Sequence, residues 1–80
     1  MTALQIRYFG PLLDVTGREG ESVELGLPMT VARIEEEILR LHPGLRGREF
    51  RVAVDETFRK REDVIDEARE VALLPAFSGG

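Results

Sequence analysis

The residues that could do chemistry lie at the carboxyl end of the chain, where Ser78, Gly79 and Gly80 follow an apolar segment. A carboxylate is a poor acyl donor until it is activated, for example as an acyl-adenylate. An enzyme that activates a chain terminus must admit it into a narrow channel, and glycine allows close approach of the backbone. We therefore predict that the Gly80 carboxylate is the reactive group; an ordinary frayed terminus is the alternative.

Other reaction centres are scarce in this composition. The chain has no cysteine, which excludes disulfides, thiolate metal sites and a cysteine nucleophile. His42 cannot build a metal site alone, and its position at a predicted helix end favours a structural role beside the helix dipole. Glu35, Glu36 and Glu37 are consecutive, so their side chains spread around a helix, and we predict that they are solvated. We predict no metal site and no stably bound cofactor.

Length and charge restrict the class of protein. Eighty residues predict a single domain over residues 1–80. The net charge of −4 disfavours nucleic acid as a partner. Neither a membrane span nor a signal peptide is recognisable, so we expect a cytoplasmic protein. Two basic clusters are interpreted as solvated surface, with a protein interface as the alternative: Arg46, Arg48, Arg51 and Arg59, Lys60, Arg61.

Alternating apolar and polar residues predict the strands. The two-residue period occurs at residues 3–9, 21–27, 50–54 and 70–74. A short strand is predicted at Phe58-Arg59, returning from a turn after the third of these segments.

Helical spacing predicts one long helix. Thr30 is a suitable N-cap, and the helix should continue to about Leu41 before Pro43 ends it. A shorter helix is predicted to start at Pro11, and residues 61–70 are predicted to form a turn or a single helical turn. The apolar residues on one face of the long helix are Val31, Ile34, Ile38 and Leu41.

The last strand should present an apolar strip at the base of the tail. If Val71 and Leu73 face the core, Leu74 faces outward beside Phe77. Pro75 cannot donate a backbone hydrogen bond, so we predict a sharp exit there and a flexible tail over residues 75–80. Phe9, on the polar side of the first strand, could border the same interface. The predicted partner-binding residues are Phe9, Leu74, Pro75, Phe77 and Ser78.

The order of elements predicts an α+β architecture in which one main helix packs on a mixed sheet of four to five strands. Several segments resemble the small subunit of molybdopterin synthase, a sulfur-carrier family related to ThiS. They are Ile6–Phe9, Thr30-Val31, Val52–Asp55, Glu70–Pro75 and Ser78–Gly80. This resemblance implies a ubiquitin-like β-grasp fold in which the first and last strands lie side by side, in parallel, at the centre.

The resemblance also implies a mechanism. A partner adenylating enzyme would use ATP to form a transient Gly80 acyl-adenylate, with Gly79 beside it in the channel. Sulfur from a sulfurtransferase would then displace AMP and leave a Gly80 thiocarboxylate. The carrier would dock on the large synthase subunit, in an expected heterotetramer, and give sulfur to a cyclic pyranopterin precursor. The small subunit would not be catalytic alone.

Three other functions remain open at this stage. The chain could carry sulfur for thiazole synthesis or transfer-RNA thiolation, with the same Gly80 chemistry. It could be a ubiquitin-like protein modifier whose Gly80 becomes amide-linked to a lysine. It could also be a ubiquitin-like interaction module in which the Gly79-Gly80 end plays no part.

Overall fold

The computed structural model describes residues 1–76. Its elements follow the predicted order, with two short strands in addition. They are β1 (Thr2–Tyr8), α1 (Pro11–Thr16), β2 (Gly20–Leu25), β3 (Met29–Thr30), α2 (Val31–Leu41), a 3₁₀ turn (Pro43–Leu45), β4 (Phe50–Val54), β5 (Thr57–Phe58), β6 (Val64–Ile65) and β7 (Glu70–Pro75).

Five strands form one mixed sheet in the order β2-β1-β7-β4-β5. Strands β1 and β7 run in parallel at its centre, and the other neighbours are antiparallel. Helix α2 covers one face of this sheet. The structure therefore confirms the predicted α+β architecture and the parallel pairing of the first and last strands.

The core lies between the sheet and α2. The alternation predicted for β1 is confirmed, since Leu4, Ile6 and Tyr8 are fully buried while the residues between them are exposed. Val71 and Leu73 bury the same side of β7. The remaining fully buried side chains come from both helices, the 3₁₀ turn and β6: Leu12, Val31, Ile34, Ile38, Leu45 and Ile65.

Helix α2 begins and ends as predicted. The Thr30 hydroxyl oxygen accepts a hydrogen bond from the Arg33 N–H at 3.2 Å, which satisfies one of the free donors at the helix N-terminus. The prediction for Leu41 is wrong: this residue, at the end of the last turn of α2, is 51% exposed. Within residues 1–76, no helix is long and apolar enough to cross a membrane.

The predicted exposure of the glutamates on α2 holds for Glu36 but is wrong for Glu35, which is 8% exposed. A carboxylate oxygen of Glu35 accepts a hydrogen bond from the Arg61 guanidinium at 2.8 Å. Burial raises the pKa of Glu35 above its ordinary value, and the positive charge of Arg61 opposes this shift. The segment that follows β5 therefore packs over this part of the helix.

Residues 61–70 contain strand β6 in addition to turns. Val64 and Ile65 pair antiparallel with Met29 and Thr30 in a separate two-stranded sheet. A two-residue strand is too short to show an alternating pattern, so no period could be detected here. This small sheet leads directly into the N-terminus of α2.

A tight turn joins β4 to β5 and sets the position of Phe58. Asp55 and Glu56 both have positive φ (47° and 70°), as a two-residue hairpin loop requires. A carboxylate oxygen of Asp55 accepts the backbone N–H groups of Arg69 and Glu70, each at 2.9 Å. These two bonds lower the pKa of Asp55.

Candidate functional site

The candidate site begins where β7 ends. This strand lies between β1 and β4, so its position is determined from both sides. It ends at Pro75, and Ala76 is the last described residue. The predicted reactive residues Gly79 and Gly80, and the predicted contacts Phe77 and Ser78, lie outside the described residues.

Strand β7 ends at Pro75, one residue beyond the predicted strand, because the proline still pairs with Phe50 of β4. The Ala76 N–H donates to the Glu49 carbonyl at 3.4 Å, and the Asp55 N–H donates to the Glu70 carbonyl at 2.9 Å. The even-numbered residues of β7 therefore direct their backbone N–H and C=O groups toward β4. Pro75 is odd-numbered, and its nitrogen faces the side where β1 has already ended. The absent N–H therefore removes no bond to β4, and the proline remains within the strand.

The sheet face opposite α2 carries the side chains that surround the tail base. Register places Arg7, Ala72, Ala53 and Phe58 in one row across β1, β7, β4 and β5. The next row toward the tail contains Leu74 and Arg51, with Phe9 directly after β1. We call the surface formed by Arg7, Phe9, Arg51, Phe58 and Leu74 around Ala53 and Ala72 the outer patch.

The two arginines of the outer patch are each placed over an aromatic ring. The guanidinium carbon of Arg51 lies 3.9 Å from the centroid of the Phe58 ring, and that of Arg7 lies 5.2 Å from the centroid of Phe9. Such cation–π contacts orient the guanidinium groups and leave their donors available to a partner. Phe58 is 50% exposed and Leu74 is half-buried. The patch thus combines apolar contact area with two oriented positive charges.

Within residues 1–76, half of the six residues in the two basic clusters form ion pairs, and one of these is the contact of Arg61 with Glu35 described above. Arg46 pairs with Glu36 at 3.2 Å, and Arg59 pairs with Asp63 at 3.1 Å. Their interpretation as solvated surface is consistent with these partially exposed contacts. Arg51 differs, because it belongs to the outer patch.

His42 belongs to a polar cluster on the other side of the sheet. It caps the C-terminus of α2, and its Nε2 contacts the same Glu21 carboxylate oxygen that accepts the Tyr8 hydroxyl at 2.6 Å. The Arg18 guanidinium donates to the other oxygen at 3.2 Å. Burial and the hydrogen bond to Glu21 raise the pKa of Tyr8 above its ordinary value.

The pKa of Glu21 is lowered although its partial burial alone would raise it. The hydrogen bonds from Tyr8 and His42, together with the nearby positive charges, outweigh desolvation. The cluster joins β1, β2 and the end of α2, so its role is structural. Among residues 1–76, no group of three histidine, aspartate or glutamate side chains is arranged to hold a metal ion.

Comparison with protein families decides the classification. The model of the ThiS family matches residues 6–80, which includes both terminal glycines. The chain belongs to the ThiS family. Membership agrees with the resemblance inferred from the sequence, since the small subunit of molybdopterin synthase is related to ThiS.

Solved structures agree with this ThiS-family fold. SAMP1 from Haloferax volcanii is 20% identical, with a TM-score of 0.81 over 99% of this chain and 100% of that chain. A putative molybdopterin converting factor subunit 1 from Pyrococcus furiosus is 17% identical, with a TM-score of 0.82 over 95% and 100%. A chain in the complex of subunits 1 and 2 of molybdopterin-converting factor from Helicobacter pylori is 19% identical, with a TM-score of 0.64 over 99% and 100%. These likenesses confirm the ubiquitin-like β-grasp fold.

Sequence reasoning found part of the outer patch of this ThiS-family protein. Of the predicted partner contacts, Phe9 and Leu74 belong to this patch, and Pro75 lies beside it at the end of β7. It missed Arg7, Arg51 and Phe58 as members of the same surface. A signal was present, because each of these three residues is polar or aromatic at an outward position of a predicted strand.

Proposed function

We propose that this chain is the sulfur-carrier subunit of a molybdopterin synthase. In this proposal a thiocarboxylate at Gly80 donates sulfur to a cyclic pyranopterin precursor and so builds the dithiolene of molybdopterin. The observation that carries the proposal is the family match that extends through Gly80, at the end of a chain with no cysteine. The fold shared with molybdopterin converting factor subunit 1 supports the choice of acceptor.

The chemistry requires two activation steps at Gly80. In a partner adenylating enzyme, a carboxylate oxygen of Gly80 attacks the α-phosphorus of ATP, and pyrophosphate leaves. The outer sulfur of a sulfurtransferase persulfide then adds to the carbonyl carbon, and AMP leaves with the carboxylate oxygen. A thiol attacks the sulfurtransferase sulfur of the resulting acyl disulfide, forms a disulfide with it and releases the Gly80 thiocarboxylate. This protein binds no cofactor stably in the proposal, and ATP is held by the partner. We place the carrier in the cytoplasm, where the nucleotide is available.

The outer patch is the proposed docking surface for the large subunit. It lies at the base of the segment that must enter a partner, and its apolar side chains can be buried there. Four fully extended residues reach at most about 14 Å. Residues 77–80 therefore require the acceptor's reaction centre to lie within that distance of the docked sheet. The two oriented arginines favour carboxylates at the facing positions of the partner.

Intact mass spectrometry tests the carrier chemistry. The protein would be incubated with a molybdopterin-pathway adenylating enzyme, ATP and a sulfurtransferase with its sulfur source. The expected result is a mass gain equal to the exchange of one oxygen for one sulfur, confined to the C-terminal peptide. A matched variant that lacks Gly79 and Gly80 should show no gain. An unchanged mass with an enzyme proven active on its own carrier would contradict the proposal.

A protein modifier is the second candidate, favoured by the fold shared with H. volcanii small archaeal modifier protein 1. Its distinguishing product is an amide between Gly80 and a lysine of another protein. A ladder of conjugates in cell extract that disappears when Gly80 is deleted would support this function. Conversion of the pyranopterin precursor by the purified thiocarboxylate with the large subunit would support the synthase instead.

A further inference from the structure

A groove of about 730 Å³ lies between strand β2 and helix α2. Its β2 wall includes Val23 and Leu25, and its α2 wall extends from Arg33 to Leu41. None of the residues that line it belongs to the outer patch or to the tail base. The function proposed above therefore makes no use of this groove.

The β2 wall offers backbone hydrogen-bonding groups as well as side chains. Within residues 1–76, β2 is the end strand of its sheet and pairs with β1 alone. The Tyr8 N–H donates to the Glu19 carbonyl at 2.9 Å. In this antiparallel register the odd-numbered residues of β2 therefore direct their backbone N–H and C=O groups toward β1. Ser22 and Glu24 consequently direct their N–H and C=O groups toward the open edge. An edge of this kind can accept a further strand.

Apolar side chains continue the groove at both ends. Among residues 1–76, four large apolar side chains are mostly exposed, and two of them line this groove. Met1 is 88% exposed beside the end of β2, and Leu41 is 51% exposed in the last turn of α2. An open strand edge above an apolar groove is the arrangement that binds an extended peptide by strand addition. Backbone pairing supplies affinity, and alternate side chains enter the groove.

The charges along the groove favour a neutral occupant. On the α2 wall Arg40 pairs with Glu37 at 3.4 Å and Arg33 adds one positive charge, whereas the register of β2 places the Glu24 side chain on the opposite face of the sheet. With so small a net charge along the groove, a nucleic acid or a highly charged peptide would gain little net attraction. A second copy of this chain is a poor occupant, since its own edge strand is polar at most positions and its apolar residues already face its core.

We propose that this groove binds an extended, apolar peptide segment of a partner protein as an additional strand beside β2. The occupant alternates aliphatic and small polar residues and carries no net charge. Because the groove is separate from the outer patch, such a partner can remain bound while the tail reacts elsewhere. The proposal is independent of which acceptor receives the sulfur.

The test uses the full-length, ¹⁵N-labelled protein and a short synthetic peptide that alternates valine or isoleucine with threonine. Titration should shift the amide signals of β2 and of the exposed side of α2, and hydrogen exchange should slow at Ser22 and Glu24. S22P removes a donor from the open edge and leaves the pairing with β1 intact. It should weaken peptide binding by about tenfold. L41D should weaken binding to a similar extent by removing apolar contact.

F58A provides the matched control, because Phe58 is as exposed as Leu41 but lies on the outer patch. This variant should bind the peptide as the unmodified protein does. Should S22P fail to fold, the affinity of L41D for the peptide and the exchange rates at Ser22 and Glu24 still test the proposal. No shift up to the solubility limit of the peptide, or shifts confined to the outer patch, would overturn the proposal. Concentration-dependent shifts of β2 without peptide, with a dimer mass, would assign the edge to a second copy and also overturn it.

Discussion

The two sides of strand β7 differ in their surroundings and in the role that we propose for them. Val71 and Leu73 are fully buried against the core, whereas Ala72 and Leu74 point to the opposite face and help form the outer patch. A single central strand therefore holds the fold together and presents the proposed docking surface. Successive residues alternate between these tasks because strand side chains have a period of two.

The chemistry of the two sides differs as much as their exposure. The inner side consists of branched aliphatic residues that pack against helix α2. The outer side combines small alanines with phenylalanine rings and arginines. This comparison teaches that substitutions at neighbouring positions should separate stability from function, and the predictions below test that separation in order of expected effect.

The largest expected effect comes from the tail and leaves both sides of β7 unchanged. Deletion of Gly79 and Gly80 should abolish the proposed thiocarboxylate formation, because it removes the carbon at which we propose activation. The melting temperature should stay the same, since every core residue is retained. Intact mass spectrometry and thermal unfolding measure the two quantities. A deletion variant that still acquires sulfur would show that the reactive group lies elsewhere.

On the inner side, Leu73→Ala should lower the free energy of unfolding by about 2–5 kcal/mol, the usual cost of an unfilled core cavity. Urea unfolding followed by circular dichroism measures this loss. Where the variant is still folded, its affinity for the large subunit should be close to normal. A loss well under 1 kcal/mol would indicate that the core closes around the gap.

On the outer side, Leu74→Asp should weaken binding to the large subunit by about 1.5–3 kcal/mol, the value of burying one such apolar side chain. The melting temperature should change little. Val64→Asp is the control, because Val64 is exposed but lies on β6, away from the outer patch. Calorimetric titration compares the three proteins. A large fall in melting temperature for Leu74→Asp alone would mean that Leu74 packs in the core and contradict its assignment to the outer patch.

The smallest expected effect is a pH dependence of stability, to which Glu21 on the inner side contributes. The pKa of Glu21 is lowered in the folded protein, so its contribution to stability is present above its ordinary pKa of 4.5 and is lost as the pH falls below it. Glu21→Gln should reduce the slope of unfolding free energy against pH below about 4.5. The pKa of Asp55 is also lowered, so Asp55 still contributes to this slope in the Glu21→Gln variant. The outer patch contains arginines and no acidic group, so its own charge should not change over this range.

Urea unfolding at several pH values checks this prediction, with Glu24→Gln as a control for the loss of a surface carboxylate. If the two variants show the same slope, the contacts of Glu21 with Tyr8 and His42 contribute nothing specific.

Local patterns in the sequence predicted most of the fold. Alternation identified the four longer strands, and the Thr30 cap with helical spacing identified α2. Strand β6 escaped detection, because two residues carry no period. Prediction of the parallel pairing of β1 with β7 depended on the family resemblance in addition to the order of elements, because the residue pattern of a strand does not show which strand lies beside it.

The sequence by itself led to Gly80 as the proposed reactive residue, because it follows Gly79 in a chain without cysteine. It also determined which side of each long strand is apolar. Only the tertiary structure decided which distant residues meet. It brought Arg61 to Glu35, and it placed Phe58 beside Arg51 in one patch with Leu74. The physical reason is that periodicity is a property of neighbouring residues, whereas such contacts depend on the order and register of strands across the whole sheet.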